Sequence, residues 1–211
     1  MGFGAWHTGR TASELQALEL EICIVHRRFV IQVIAGAALS LSEQSGLLAQ
    51  GTVQTRPIDP FGQAITLAEQ TIIYASGTGE WDTAYETLKA AFRAAQAFLA
   101  RSGLGRSSPA MTIYTAMDDT SFNFRAAIPV TELPKSLPQE KIGTGRSPGG
   151  KALKFVHRGS FQDMTSTYDA ISHYVEGRQL AAKELLIEEY ITDLLTTPAD
   201  RLVVNIFVPL E

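Results

Sequence analysis

The chain has 211 residues, 45% of them hydrophobic and 19% charged, which is the balance of a globular protein with room for one medium core or two small fused ones. Its formal net charge is −4, and no cluster of Lys and Arg supplies the basic face that phosphate backbones require, so nucleic acid is not expected as a partner. The single cysteine, Cys23, excludes an intramolecular disulfide and any Cys-based zinc site.

Residues 1–49 read as an export signal. Basic His26-Arg27-Arg28 is followed by a largely apolar run from Phe29 to Leu41, then by polar Ser42-Glu43-Gln44-Ser45 and a cleavage point after Ala49. That run is shorter than the roughly 20 residues a bilayer-spanning helix needs, so no stable membrane span is expected. Glu14, Glu19 and Glu21 are out of place ahead of a basic region, which puts the true start near Val25 and makes residues 1–24 an over-extended start. The expected location is the periplasm or the outside of the cell. The alternative is a cytoplasmic protein in which residues 13–33 form an amphipathic helix capping the domain. Residues 50–66 read as the tail of the mature chain.

From residue 67 onward the sequence contains the same pattern twice. In the first copy, residues 67–130, a β-rich run at Thr71–Ser76 ends in Gly77-Thr78-Gly79. A helical stripe of Trp81, Tyr85, Leu88 and Phe92 follows, and then two strands, Ala110–Thr115 and Phe122–Pro129. Residues 131–149, with Pro134, Pro138, Pro148, Gly143, Gly145 and Gly149, read as a linker. In the second copy, residues 150–211, the strand Ala152–His157 leads into a stripe of Met164, Tyr168, Ile171 and Val175, then the strands Glu184–Thr192 and Leu202–Pro209.

This pattern predicts an α+β fold: a pseudo-twofold duplication of a β-α-β-β unit, with an antiparallel sheet, two helices on one face and a ligand pocket on the concave opposite face. One helix covers too little of three strands for a single unit to bury its sheet, and edge-to-edge pairing of two units solves that problem.

The residues of the second copy resemble a known family. Lys154-Phe155-Val156-His157-Arg158-Gly159-Ser160-Phe161 is similar to a strand ending in His-x-Gly-x-aromatic, Ile187-Glu188-Glu189-Tyr190 to an acidic-x-Tyr strand, and Val204–Pro209 to a closing strand before proline. This order resembles the GyrI-like, or AraC-type effector-binding, domain family across residues 67–211. The resemblance implies two pseudo-symmetric halves around a central cavity that takes small molecules, in many members cationic or aromatic ones recognised by an acidic side chain. Members include effector domains of transcription regulators and some hydrolases. Here the segment ahead of the repeat reads as an export signal rather than as a DNA-binding domain.

Within this frame, the candidate ligand-binding residues are Glu188, Glu189, Tyr190, Tyr114 and Trp81. Successive strand residues face opposite sides, so Glu188 shares a face with Leu186 and Tyr190, and Glu189 shares one with Ile187 and Ile191. Matching the two copies sets Ile113 against Glu189, a packed position, which favours Glu188 as the pocket residue. Tyr114 and Tyr190 occupy matching positions. Tyr85, Tyr168, Leu88 and Ile171 are assigned to the helix–sheet core.

The expected function is sequestration or sensing of a small ligand. The alternatives are a hydrolase using Glu188 as general base, or a protein-interaction module. No Ser-His-Asp or Cys-His set offers a nucleophile, and no cofactor is expected. Gly145–Lys151 has the spacing of a phosphate-binding loop, but Ala152 follows where a magnesium-binding hydroxyl belongs, and a strand follows where a helix should start. His157 and His173 lack metal-ligand spacing, so no metal site is expected.

Overall fold

The computed structural model describes residues 61–134 and 142–211, so the expected export signal lies outside the described residues. Eight antiparallel strands form one open sheet. In chain order they are β1 (Gln63–Leu67), β2 (Thr71–Glu80), β3 (Met111–Met117), β4 (Ser121–Pro129), β5 (Ile142–Arg146), β6 (Gly150–Gly159), β7 (Leu186–Tyr190) and β8 (Leu202–Pro209). A 3-10 turn at Trp81–Thr83 leads into helix α1 (Ala84–Arg101), and helix α2 (Met164–Gly177) lies between β6 and β7. Each half thus runs strand–helix–strand–strand. The mixed α+β class and antiparallel sheet are as the sequence predicts.

The strand order across the sheet is β1-β6-β8-β7-β3-β4-β2-β5. Exchanging β2 with β6, β3 with β7, β4 with β8 and β1 with β5 reverses this order without changing it. The halves join where β3 pairs with β7, over Met111↔Glu189 to Tyr114↔Leu186. The outermost strands cross over: β1 precedes the first half but pairs with β6, and β5 precedes the second half but pairs with β2.

Two boundaries differ from the sequence reading. The expected tail contains β1, so the domain starts ahead of residue 67. The expected linker contains β5, whose Ile-Gly-Thr-Gly-Arg sequence carries the residues of a loop. Gly143 has a packing reason. A Cβ at Gly143 would lie 2.5 Å from Cζ of Tyr74, so the neighbouring ring on β2 lies over the bare backbone of β5.

One face of the sheet carries both helices. Ala84, Leu88, Phe92, Ala95 and Leu99 of α1, and Met164, Tyr168, Ile171 and Val175 of α2, are buried in one cluster with sheet residues of both halves. Leu88, Phe92 and the α2 stripe are buried where the periodicity predicts. Trp81 and Tyr85 are half-buried, Trp81 in the turn that precedes α1. A smaller cluster on the other face, around Ile72, Met111, Ile113, Ile187 and Phe207, contains no helical residue.

Both helices stop in the same way. Leu104 N–H reaches back to the Leu99 carbonyl at 3.2 Å past Gly103, and Leu180 N–H to that of Val175 at 3.1 Å past Gln179. Gly103 sits at φ +67°, as this motif requires, but its counterpart Gln179 is forced to φ 53°. A left-handed backbone costs a residue with a Cβ about 1–2 kcal/mol. Gln179 is exposed, so replacing it removes no buried contact. Gln179→Gly is expected to stabilise the domain by about 0.5–1 kcal/mol, the relief being offset by glycine's greater freedom when unfolded. The measurement is an increased urea midpoint with an unchanged slope.

Candidate functional site

Along β7, alternation turns Leu186, Glu188 and Tyr190 to one side and Ile187 and Glu189 to the other. Leu186 and Tyr190 belong to the cluster beneath the helices, and Ile187 to the opposite one. Glu188 therefore points toward α1 and α2, not toward the helix-free face. This corrects the expectation of a pocket floored by an acid on the face opposite the helices: the apolar residues on either side of Glu188 must pack under the helices, and they carry the acid with them. Glu189 faces the other way and accepts a hydrogen bond from Asn205 Nδ2 at 2.7 Å. It is not part of the Glu188 cluster.

Glu188 is fully buried, and among the described residues no Lys, Arg or His forms an ion pair with it. It is held by hydroxyls. Tyr114 donates to Oε2 at 3.0 Å and Tyr190 to the same oxygen at 2.7 Å, while Tyr168, reaching down from α2, donates to Oε1 through a short contact. With the Tyr190 proton committed to the carboxylate, the Thr112 hydroxyl donates to the Tyr190 oxygen at 3.0 Å. Thr112 lies directly opposite Glu188 across the β3–β7 join, so the first half supplies Thr112 and Tyr114 and the second half the acid and two tyrosines.

Aromatic rings extend the cluster outward. Trp81 lies 6.0 Å from Tyr114 and 4.4 Å from Phe122 between ring centres, and its indole N–H donates to the Asp118 carbonyl at 2.9 Å. Its backbone N–H is bound to the Thr120 carbonyl at 3.2 Å, so the β3–β4 turn fixes the ring twice. That turn is organised by the Asp118 carboxylate, which accepts from the backbone N–H groups of Thr120 and Ser121 at 2.8 and 2.7 Å. Those backbone bonds, with smaller help from the Ser121 hydroxyl, lower its pKa to about 2. Phe92 of α1 meets the Tyr190 ring edge-on at 5.5 Å. Gly79 makes room for this packing, since a Cβ there would lie 2.6 Å from the end of the buried Phe122 ring.

The sequence-predicted residues Glu188, Tyr190 and Tyr114 thus come together, with Trp81 beside Tyr114. Tyr168 and Thr112 complete the cluster and were not singled out by sequence reasoning. Tyr168 did carry a signal: it is a tyrosine in an otherwise apolar helix stripe, and a buried hydroxyl needs a partner. His157 is clamped between the Ser160 carbonyl at 2.9 Å and the Thr167 hydroxyl at 2.8 Å, tying the end of β6 to α2. The segment with phosphate-loop spacing is the turn from β5 to β6, followed by strand.

The family model of the GyrI-like small molecule binding domain matches residues 63–211. The chain belongs to this family. Solved structures of similar fold include EcmrR in a cryo-EM complex with DNA (TM-score 0.61, 15% identity, 71% of this chain and 57% of that chain covered), so the chain spans little more than half that protein's length. The crystal structure of the EcmrR C-terminal domain is matched over nearly its whole length (TM-score 0.59, 16% identity, 71% and 98% covered). The structure of SAV2435 bound to tetraphenylphosphonium gives a TM-score of 0.50 at 14% identity, with 71% of this chain and 93% of that chain covered. A search of curated proteins found no match.

In this GyrI-like domain, Tyr190 is locked in its neutral form. Burial, then the charge of Glu188 and the proximity of Tyr114, push its pKa well above 10, against a smaller lowering by the Thr112 hydroxyl. The folded state therefore holds a proton that the unfolded chain releases near pH 10. This contribution to stability is complete below pH 10 and is lost as pH rises beyond it toward the folded-state value. Tyr190→Phe is expected to make the alkaline decline in unfolding free energy shallower by about 1.4 kcal/mol per pH unit above pH 10. Urea titrations between about pH 9 and pH 11.5 measure it.

Proposed function

We propose that the chain captures small cationic or aromatic molecules, with Glu188 as the polar anchor and Tyr114, Tyr168, Tyr190 and Trp81 as the aromatic surround. The observation that carries this reading is a fully buried carboxylate held by neutral hydroxyls and no ion pair among the described residues. Burying such a charge costs several kcal/mol, and each hydroxyl returns about 1.5–3. A cation brings the opposite charge that hydroxyls lack. Each aromatic face it meets adds about 0.5–2 kcal/mol, so a micromolar affinity, about 8 kcal/mol, is within reach. The likeness to SAV2435, solved with an organic cation, supports this choice of ligand class.

Glu188 is sealed in this structure, so access requires at least one of the three tyrosines that bind it to move, and of these Tyr168 belongs to helix α2 rather than to the sheet. The two halves would then act as copies of one unit sharing a central site. The basic–apolar–polar order over residues 26–49 supports a role in the periplasm or outside the cell, sequestering or sensing such ligands there.

The test uses tetraphenylphosphonium, followed by calorimetry. Glu188→Gln keeps the shape and most hydrogen bonds, and is expected to weaken binding at least about tenfold, or about 1.4 kcal/mol. Unchanged affinity would remove Glu188 from the role. A variant that still binds a small electrophilic substrate but no longer turns it over would shift the reading to a hydrolase with Glu188 as general base. N-terminal sequencing of the exported protein is expected to begin at Gln50; a soluble intracellular product starting at Met1 would overturn export.

A further inference from the structure

Of the three tyrosines that bind Glu188, Tyr168 alone comes from a helix. Tyr114 and Tyr190 ride on β3 and β7, and each of those strands is hydrogen-bonded to a neighbour on both sides. Tyr168 rides on α2, which packs on the sheet through its side chains. Its place over Oε1 therefore depends on how firmly that helix is held.

α2 is pinned on either side of Tyr168. Toward its start, the Thr167 hydroxyl shares a hydrogen bond of 2.8 Å with His157 of β6. Toward its end, the Tyr174 hydroxyl donates to the Gly62 carbonyl at 3.0 Å, immediately ahead of β1. Gly62 sits at φ +82°, a left-handed backbone that glycine adopts readily, and a Cβ there would overlap the end of the Tyr174 ring. Phe61, the residue before it, meets Phe155 of β6 edge-on at 4.8 Å and the Tyr174 ring at 5.8 Å. The Arg178 guanidinium covers the same Tyr174 ring at 3.6 Å.

The first half has neither pin. Gly77, opposite Phe124, stands where the second half has His157, opposite Val204. The place of Tyr174 on α1 falls to alanine: Ala91 if the helices are matched by their apolar stripes, Ala94 if by their first residues. Neither glycine nor alanine has a side chain that can make such a bond. A requirement of the fold itself would appear in both halves, whereas these pins are confined to the helix that covers the acid.

We propose that Phe61, Gly62 and Tyr174 form a latch that sets how often α2 lifts Tyr168 off Glu188. Its purpose rests on the cation-binding reading above, but the latch itself concerns the motion of one helix and is measurable without a ligand. The three residues do not touch the acid; they position it for opening through Tyr168. Local opening of a single helix lies below global unfolding in free energy, so one contact can govern it.

Native-state hydrogen exchange of the whole chain tests it first. Tyr174→Phe keeps the ring and removes only the bond to Gly62. Exchange across α2 is expected to rise about fivefold, the factor that one ordinary hydrogen bond is worth, while α1 exchanges as in the wild type. Phe61→Leu keeps an apolar side chain but loses the edge-on ring contacts, and is expected to act in the same direction. Unchanged exchange in α2, or an equal rise in both helices, overturns the latch, since an equal rise marks general support of the fold. Stopped-flow association of tetraphenylphosphonium then reads access to Glu188, and Tyr174→Phe is expected to speed it about fivefold, in step with the open fraction. If α2 exchange rises but association keeps its wild-type rate, access does not run through α2, and the latch falls while the cation reading stands. If the wild-type chain takes up no tetraphenylphosphonium, the cation reading falls, and the exchange data alone uphold or overturn the latch.

Discussion

A carboxylate removed from water and left to tyrosine hydroxyls is the constraint around which this sheet is arranged. Glu188 takes its side-chain hydrogen bonds from three tyrosine hydroxyls, so each hydroxyl that serves it must arrive at the right place. Tyr114 comes from the strand across the join, Tyr190 from two positions along the same strand, and Tyr168 from the helix above. Phenylalanine could fill any of these volumes but would take a hydrogen bond from the acid, and at position 168 it would leave Oε1 without its tyrosine donor. The same requirement fixes register. A slip of one residue in β7 would turn Glu188 onto the face of Ile187 and bring Glu189 beneath the helices.

The strand order explains why the site lies where it does. The two halves meet along β3 and β7, and within that short ladder Thr112 stands opposite Glu188. At this junction a single cluster can draw on both halves. The halves differ in what they supply: a threonine against a glutamate at the centre, and Gly77 and Gly79 with overlying phenylalanine rings against His157 and Gly159. The first half consequently offers stacked aromatics and the second half the charge.

Much of this architecture is legible in the chain. The alternation of Leu186, Glu188 and Tyr190, and the helical recurrence of Leu88 and Phe92 or Tyr168 and Ile171, follow directly from apolar spacing, and the shared order of elements places the halves side by side. Which face receives Glu188 was harder to read, because a lone acid among apolar neighbours suggests an open pocket. The apolar neighbours decide the matter, and they take the acid under the helices. β5 was hidden because Gly143 and Gly145 look like loop residues, and the purpose of Gly143 emerges only when Tyr74 is seen lying across it. Tyr168 was read as packing since its ring does pack; only its hydroxyl belongs to the site.

The crossed edge strands have a mechanical meaning. The ladder that joins the halves runs only from Met111 to Tyr114, a narrow seam for a sheet of eight strands. β1 leaves the first half to bind along β6, and β5 leaves the second to bind along β2. Each half therefore wears a strap sewn to the other, and strain that would pry the seam apart is shared with both outer margins. If the seam loosened, the halves would stay tied at both margins.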